Sequence, residues 1–408
     1  MAQPFGRENE HDFVNLVDNL SKHLKRYQWN FLLSKNQGAF GAILGGLNAM
    51  PRCEKPIAAA RIKTKSVRRR LFILFVVVMA TASWVFFTGP RVMVSWHADD
   101  PAVNPASPAN SKLESSIPEA SRLDAWLTRS EAAIADLIPG TEKTIRWASA
   151  PGARTDIALV YLHGFSSSRQ ESRPLMEEVA AALNANLYFA RLSGHGRGGD
   201  ALAAATVADW QRDAWEALAI GRQLGGRVVL VGASNGGALA TWLASQSAAA
   251  DLAALVLLSP NYGPRDPMSE ILLWPWAHVL VRWVVGPDYE WKPRNPEHAR
   301  YWTWRYPSKA LLVMMGVVKL ARMSPVERIK APVLVLYARE DRVVNANGIE
   351  RFFPRFGAVD KVLIPVENTS DPQHHALSGD ILAPEDTARV RAMMLDFLCP
   401  RLKTCRGS

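Results

Sequence analysis

Apolar runs of strand length recur along the chain from residue 156 onward, at residues 156–162, 186–191, 227–232, 253–259, 332–338 and 361–366. Each is nearly continuous rather than alternating, as strands buried on both faces are. Stretches with helical spacing lie between them. Residues 206–224 form one, with Trp210, Trp215 and Leu218 on a single stripe,. Ser166, Ser167 and Ser168 read as N-cap residues before a helical run to Leu183,. Strands that alternate with helices predict an α/β fold: a mostly parallel sheet with helices on both faces.

Two regions break the pattern. The first lies between Ser259 and Pro325, with an inserted cap expected over about 262–324. Six of the chain's 14 tryptophans fall there: Trp274, Trp276, Trp283, Trp291, Trp302 and Trp304. Such a segment suits a lid whose aromatic underside lines an apolar pocket. It also suits a surface dipping into a bilayer interface, or plain cap packing. The second region is residues 71–88, an apolar run of 18 residues without a charge. That length just crosses a bilayer. The basic residues of 61–70 precede it, so the expected topology is a cytoplasmic N-terminus and a catalytic domain on the extracytoplasmic side. Ala80, Thr81 and Ala82 lie inside the run, the wrong place for signal cleavage, which favours an uncleaved signal anchor over a cleaved signal peptide.

Charge changes the picture less than its total suggests. Residues 1–70 hold 13 Lys or Arg against 5 Asp or Glu, a net +8 of the chain's +10. The basic character belongs to the N-terminal extension and gives the rest of the chain no nucleic-acid signature. The expected organisation is a basic cytoplasmic extension (1–70), a transmembrane anchor (71–88), a Pro/Ser-rich linker (89–120) and a catalytic domain (121–400). Cys399 and Cys405, with five residues between them, lie on the expected far side, where they are placed to close a small disulfide loop,. No metal-ligand spacing is present, so no metal is expected.

The candidate chemistry begins at Gly232-Ala233-Ser234-Asn235-Gly236. A strand-length run ends there and a helix opening follows, the strand–turn–helix context in which a G-x-S-x-G turn lifts a serine above a sheet. A serine hydroxyl needs a base, and the base an orienting acid. Both follow in the order serine, acid, histidine. Asp341 lies in the turn after the strand near 332–338, with Glu340 as the alternative acid. His375 lies in the loop after the next strand, with His374 as the alternative base. The Asn235 amide at the start of the helix and the Phe165 amide in His163-Gly164-Phe165 are the expected oxyanion donors. His163 reads as structural, and Asp371 and Asp380 as residues that shape the histidine loop.

Taken together, His163-Gly164-Phe165, Ser193-Gly194-His195-Gly196-Arg197, the 232–237 turn, Asp341 and His375 resemble the α/β-hydrolase superfamily. The nearest subgroup is that of monoacylglycerol-lipase-like and bacterial carboxylesterase-like serine hydrolases. The resemblance spans roughly 120–400. It implies the α/β-hydrolase fold with an inserted cap and no cofactor. Ser193 and Asn235 depart from what relatives often carry, and neither removes a catalytic part.

The expected function is a membrane-tethered serine hydrolase acting on a small-molecule ester with an apolar or lipid-like acyl group. Amide or peptide cleavage and acyl transfer share the same acyl-enzyme and stay open. A non-catalytic hydrolase-like binding module is the third class, and it sits poorly with a full set of triad candidates.

Overall fold

Seven strands form one sheet in the computed structural model, which describes residues 64–92 and 115–403. The strands are β1 (Thr144–Arg146), β2 (Thr155–Leu162), β3 (Asn186–Phe189), β4 (Gly225–Ala233), β5 (Ala254–Leu258), β8 (Val333–Tyr337) and β9 (Lys361–Pro365). Two further strands, β6 (Asp288–Glu290) and β7 (Arg305–Pro307), make a separate antiparallel pair. The large sheet runs β1-β3-β2-β4-β5-β8-β9, parallel except for β1 against β3. Six strands match the six apolar runs. The edge strand β1 was not expected, since three residues carry too little pattern to read.

The helices are α1 (Thr64–Phe87), α2 (Ala120–Ala132), α3 (Leu175–Ala182), α4 (Gly199–Ala204), α5 (Val207–Leu224), α6 (Ser234–Ala244), α7 (Ala277–Val284), α8 (Pro296–Tyr301), α9 (Ala310–Met323), α10 (Ala346–Phe352) and α11 (Thr387–Leu402). Both sheet faces are covered. On β2, Ala158, Val160 and Leu162 enter the core shared with α2, α5 and α6. Ile157, Leu159 and Tyr161 enter the core shared with α3 and α11. Burial on both sides is why the run is apolar at every position. On α5 the predicted stripe is buried: Trp210, Trp215 and Leu218 all face the core. Thr206 caps this helix in a reciprocal box with Asp209, an arrangement that contributes about 1 kcal/mol,. The helical run expected up to Leu183 is divided: a 3-10 turn covers Arg169–Ser172, and α3 begins only after Pro174. Proline lacks the N–H a continuous helix needs there.

Register brings the functional loops to one side. Leu162 pairs with Gly232, Gly232 with Leu257, Leu258 with Leu336, and Tyr337 with Pro365. The loops after β2, β4, β5, β8 and β9 therefore all leave from the carboxyl edge of the sheet, where open α/β sheets bind ligands.

The inserted segment holds a 3-10 turn (Pro267–Leu273), α7, the β6–β7 pair, α8 and α9. Leu272, Val281, Met314, Met315 and Val318 form its small core. Its aromatics divide between two roles. Trp302 and Tyr306 are buried, whereas Trp283 is 84% exposed beside exposed Val279 and Val284.

Residues 77–408 form one of two units into which the chain divides, residues 1–76 being the other. The described side chains of α1 include exposed Phe72, Phe75, Trp84 and Phe87. Among the described residues no helix is long and apolar enough to cross a membrane. The spanning segment expected over 71–88 is thus not established by the fold. Residues 1–63 of the extension and 93–114 of the linker lie outside the described residues. Cys399 is disulfide-bonded. Cys405, its expected partner, lies outside them too.

Candidate active site

Strand β4 ends at Ala233, and α6 starts at Ser234 with φ of 51°. A non-glycine residue in this left-handed region is strained by about 1–3 kcal/mol, and such strain gathers at functional sites. The flanking glycines make the turn possible. A Cβ on Gly236 would lie 2.2 Å from the Leu162 carbonyl oxygen, and one on Gly232 2.5 Å from the Gly236 carbonyl oxygen. Nothing larger than glycine lets strand, turn and helix approach so closely.

His375 bridges the serine and a carboxylate. Its Nε2 lies 3.0 Å from Ser234 Oγ, and its Nδ1 lies 2.8 Å from Asp341 Oδ2. Asp341 is fully buried, and its other oxygen accepts from the Val343 and Val344 amides, both at 2.8 Å. The acid thus holds an N–H on Nδ1, which leaves the Nε2 lone pair free to accept from the serine hydroxyl. Burial pushes the His375 pKa down, but the charge and hydrogen bond of Asp341, then Asp371 and Glu171, outweigh it and hold the group above its ordinary value. The two alternatives go elsewhere. Glu340 is exposed, and His374 Nδ1 meets Thr369 Oγ1 at 2.9 Å.

The histidine loop is shaped by Asp371, as expected. Its Oδ2 accepts from the His375 and Ala376 amides at 2.9 and 2.8 Å, and its Oδ1 accepts from Gln373 N at 3.0 Å and from the Arg294 guanidinium. Burial raises the Asp371 carboxyl, yet these bonds and Arg294 hold it below its ordinary value. Ser259 Oγ donates to the His375 carbonyl at 3.0 Å. Arg294 and Ser259 had no sequence signal, because each reaches the loop from a distant segment.

Across from the serine stands the loop after β2. A Cβ on Gly164 would lie 3.2 Å from Ser234 Cβ. The Gly164 amide donates to Glu171 at 2.7 Å and the Ser166 amide to His195 Nε2 at 3.0 Å. The Phe165 amide between them has no partner among the described residues. Asn235 N–H lies in the first turn of α6, where a helix offers no acceptor,. Two amides, one per loop, are therefore available beside Ser234. His163 is structural: its ring is buried between the Gly164 carbonyl and the Leu192 amide, and burial lowers its pKa to about 4. His195 packs edge-on against it, 4.7 Å between ring centres.

The cap supplies apolar surface next to this loop. Phe165 packs against Met314 and the rest of the small cap core, and Met314 Sδ lies 3.5 Å from Asn261 Nδ2. The backbone N–H of Asn261 donates to the Ser234 carbonyl at 2.9 Å. A separate cavity of about 260 Å³ lies between Pro90, Val92, Val207, Ala277 and Leu312, and neither Ser234 nor His375 lines it. Among the described residues no cluster of three His, Cys, Asp or Glu is arranged to hold a metal ion.

The chain is similar to several known proteins. A family model described as serine aminopeptidase, S33, matches residues 153–370, just over half of the chain. A thermostable monoacylglycerol lipase from Bacillus sp. (strain H-257) is 23% identical over 215 residues, 52% of this chain and 82% of that protein. A solved structure from work on LipS and LipT, two metagenome-derived lipolytic enzymes, superposes with a TM-score of 0.54 at 23% identity, covering 65% of this chain and 99% of that one. A soluble variant of monoglyceride lipase from Saccharomyces cerevisiae, in complex with a substrate analog, gives 0.50 at 14% identity, covering 65% and 92%. The family match ends before His375. The chain belongs to the serine aminopeptidase S33 family of α/β-hydrolases.

Proposed function

We propose that this chain is a membrane-tethered serine hydrolase that cleaves carboxylic esters with apolar acyl groups. The observation that carries the reading is the hydrogen-bonded chain Ser234–His375–Asp341 beside two unpaired amides. Ser234 Oγ attacks the ester carbonyl while His375 Nε2 takes its proton. The tetrahedral oxyanion is held by Phe165 and Asn235 N–H. His375 returns the proton to the departing alcohol, leaving an acyl-serine. Water, deprotonated by the same imidazole, then releases the acid and restores the hydroxyl.

The surroundings of His375 bear on the bond type. An aminopeptidase needs an anion for its substrate's free ammonium group. Besides Asp341, the carboxylates Asp371 and Glu171 act on His375. Asp371 is occupied by three amides and Arg294. Glu171 is occupied by the Gly164 amide and the Tyr161 hydroxyl. This favours a neutral ester over a peptide N-terminus. The lipolytic relatives and the packing of Phe165 against the small cap core support an apolar acyl group. The tether draws support from the exposed apolar side chains of α1 and the basic residues before them. The disulfide at Cys399 supports an oxidising, extracytoplasmic side for the catalytic domain,.

Ser234→Ala tests the reading. Turnover of p-nitrophenyl butyrate should fall by about 10⁶-fold, and labelling by a fluorophosphonate should disappear. Retained turnover assigns the nucleophile elsewhere.

A further inference from the structure

The two amides beside Ser234 are held by different means. Asn235 N–H is aimed by helix α6. Phe165 N–H sits in an irregular loop next to a glycine, whose backbone no side chain restrains. Such an amide points in one direction only if its peptide plane is fixed from outside.

The hydrogen bonds around Gly164 provide that restraint. Its N–H donates to Glu171 Oε1 at 2.7 Å. Its carbonyl oxygen accepts from Ser167 Oγ at 3.0 Å and from His163 Nδ1 at 2.9 Å. The Leu192 amide donates to His163 Nε2 at 3.1 Å, so Nδ1 is the nitrogen that carries the proton,. In a trans peptide the C=O and the following N–H point in opposite directions. Two donors holding the Gly164 oxygen on one side therefore turn Phe165 N–H to the other. Glu171 is itself anchored: the Tyr161 hydroxyl donates to the same Oε1 at 2.8 Å, and Tyr161 is buried on β2. The clamp is thereby seated on the sheet that also carries Ser234.

We propose that Glu171 and Ser167 are positioning residues for the oxyanion site: they lock the peptide planes on either side of Gly164 so that Phe165 N–H meets the substrate oxygen as it gains charge. The inference rests on the hydrolase reading above. It gives work to two side chains that touch neither substrate nor the Ser234–His375–Asp341 chain by hydrogen bond. A glutamine at 171 keeps an oxygen acceptor for Gly164 N–H, whereas an alanine leaves that amide free to turn.

One oxyanion donor is worth about 10²–10³ in kcat. Glu171→Ala should forfeit part of this, lowering kcat for p-nitrophenyl butyrate by about 30-fold, with KM within about twofold. Ser167→Ala should cost less, about fivefold, because His163 still holds the carbonyl. Glu171→Gln and Ser167→Thr should recover most of the loss. The inhibition constant of a trifluoromethyl ketone, which forms an oxyanion on Ser234, should rise by the factor by which kcat falls. A general loosening of the fold would not produce that match. The rate of fluorophosphonate labelling should fall in step. The proposal is overturned if kcat and labelling stay within twofold of the unmodified protein in both alanine variants, or if kcat falls while ketone affinity holds. If the unmodified protein is labelled at Ser234 but turns over no ester, the ester reading fails, and the labelling rates of the variants still decide the clamp. Should Glu171→Ala fail to fold, Ser167→Ala and Ser167→Thr carry the same comparison.

Discussion

In the proposed reaction His375 takes a proton only while Nε2 is unprotonated, so its environment would set the acid side of the pH profile. Asp341, Asp371 and Glu171 together hold its pKa above the ordinary value of about 6.5,. Activity should therefore rise with pH through a midpoint above about 6.5 and be lost below it. Asp341→Asn should lower kcat by about 10⁴-fold and move the midpoint down, read from kcat/KM against pH. The residues of the reactive chain were legible in the sequence because each belongs to a turn whose spacing the chemistry requires. The choice of Asp341 over Glu340 rested on place in a turn, and the fold supplies its cause. Asp341 turns inward onto the Val343 and Val344 amides, while Glu340 points to solvent. Glu171 had no signal: a carboxylate eight residues after His163 means something only when the intervening loop folds back on it.

At the scale of elements, the strand–turn–helix around Ser234 is the most demanding piece of backbone. Gly236→Ala places a methyl 2.2 Å from the Leu162 carbonyl oxygen and 2.4 Å from that of His163. Neither backbone oxygen retreats without disturbing β2. The substitution should cost about 3 kcal/mol and also remove activity, seen as a lower denaturant midpoint together with lost fluorophosphonate labelling. Long strands and α5 were legible because burial on two faces, or on one stripe, imposes a pattern over many residues. The three-residue β1 was too short for a pattern. The division of the expected helix near Pro174 shows a local rule overriding an apolar run,.

At the scale of the molecule, strand order is what makes a site. Ser234 and His375 are 141 positions apart along the chain, yet a parallel register brings their loops to one edge. Expressed in a bacterium, the full chain should stay in the membrane pellet after carbonate extraction. Alkaline phosphatase fused after Ser408 should be active, and a green fluorescent protein fused there should be dark. The reverse result would put the catalytic domain in the cytoplasm. By itself the sequence determined the long strands, the tight turn at Ser234 and the order of serine, acid and histidine, because local geometry and hydrophobic periodicity are written in adjacent residues. Only the tertiary structure decided which carboxylate and which histidine meet, which amides are left unpaired, and that Glu171, Ser167 and Arg294 hold the site together. Those outcomes depend on how far-separated loops lie against one another, and hydrogen bonds across such gaps leave no periodic mark on the chain.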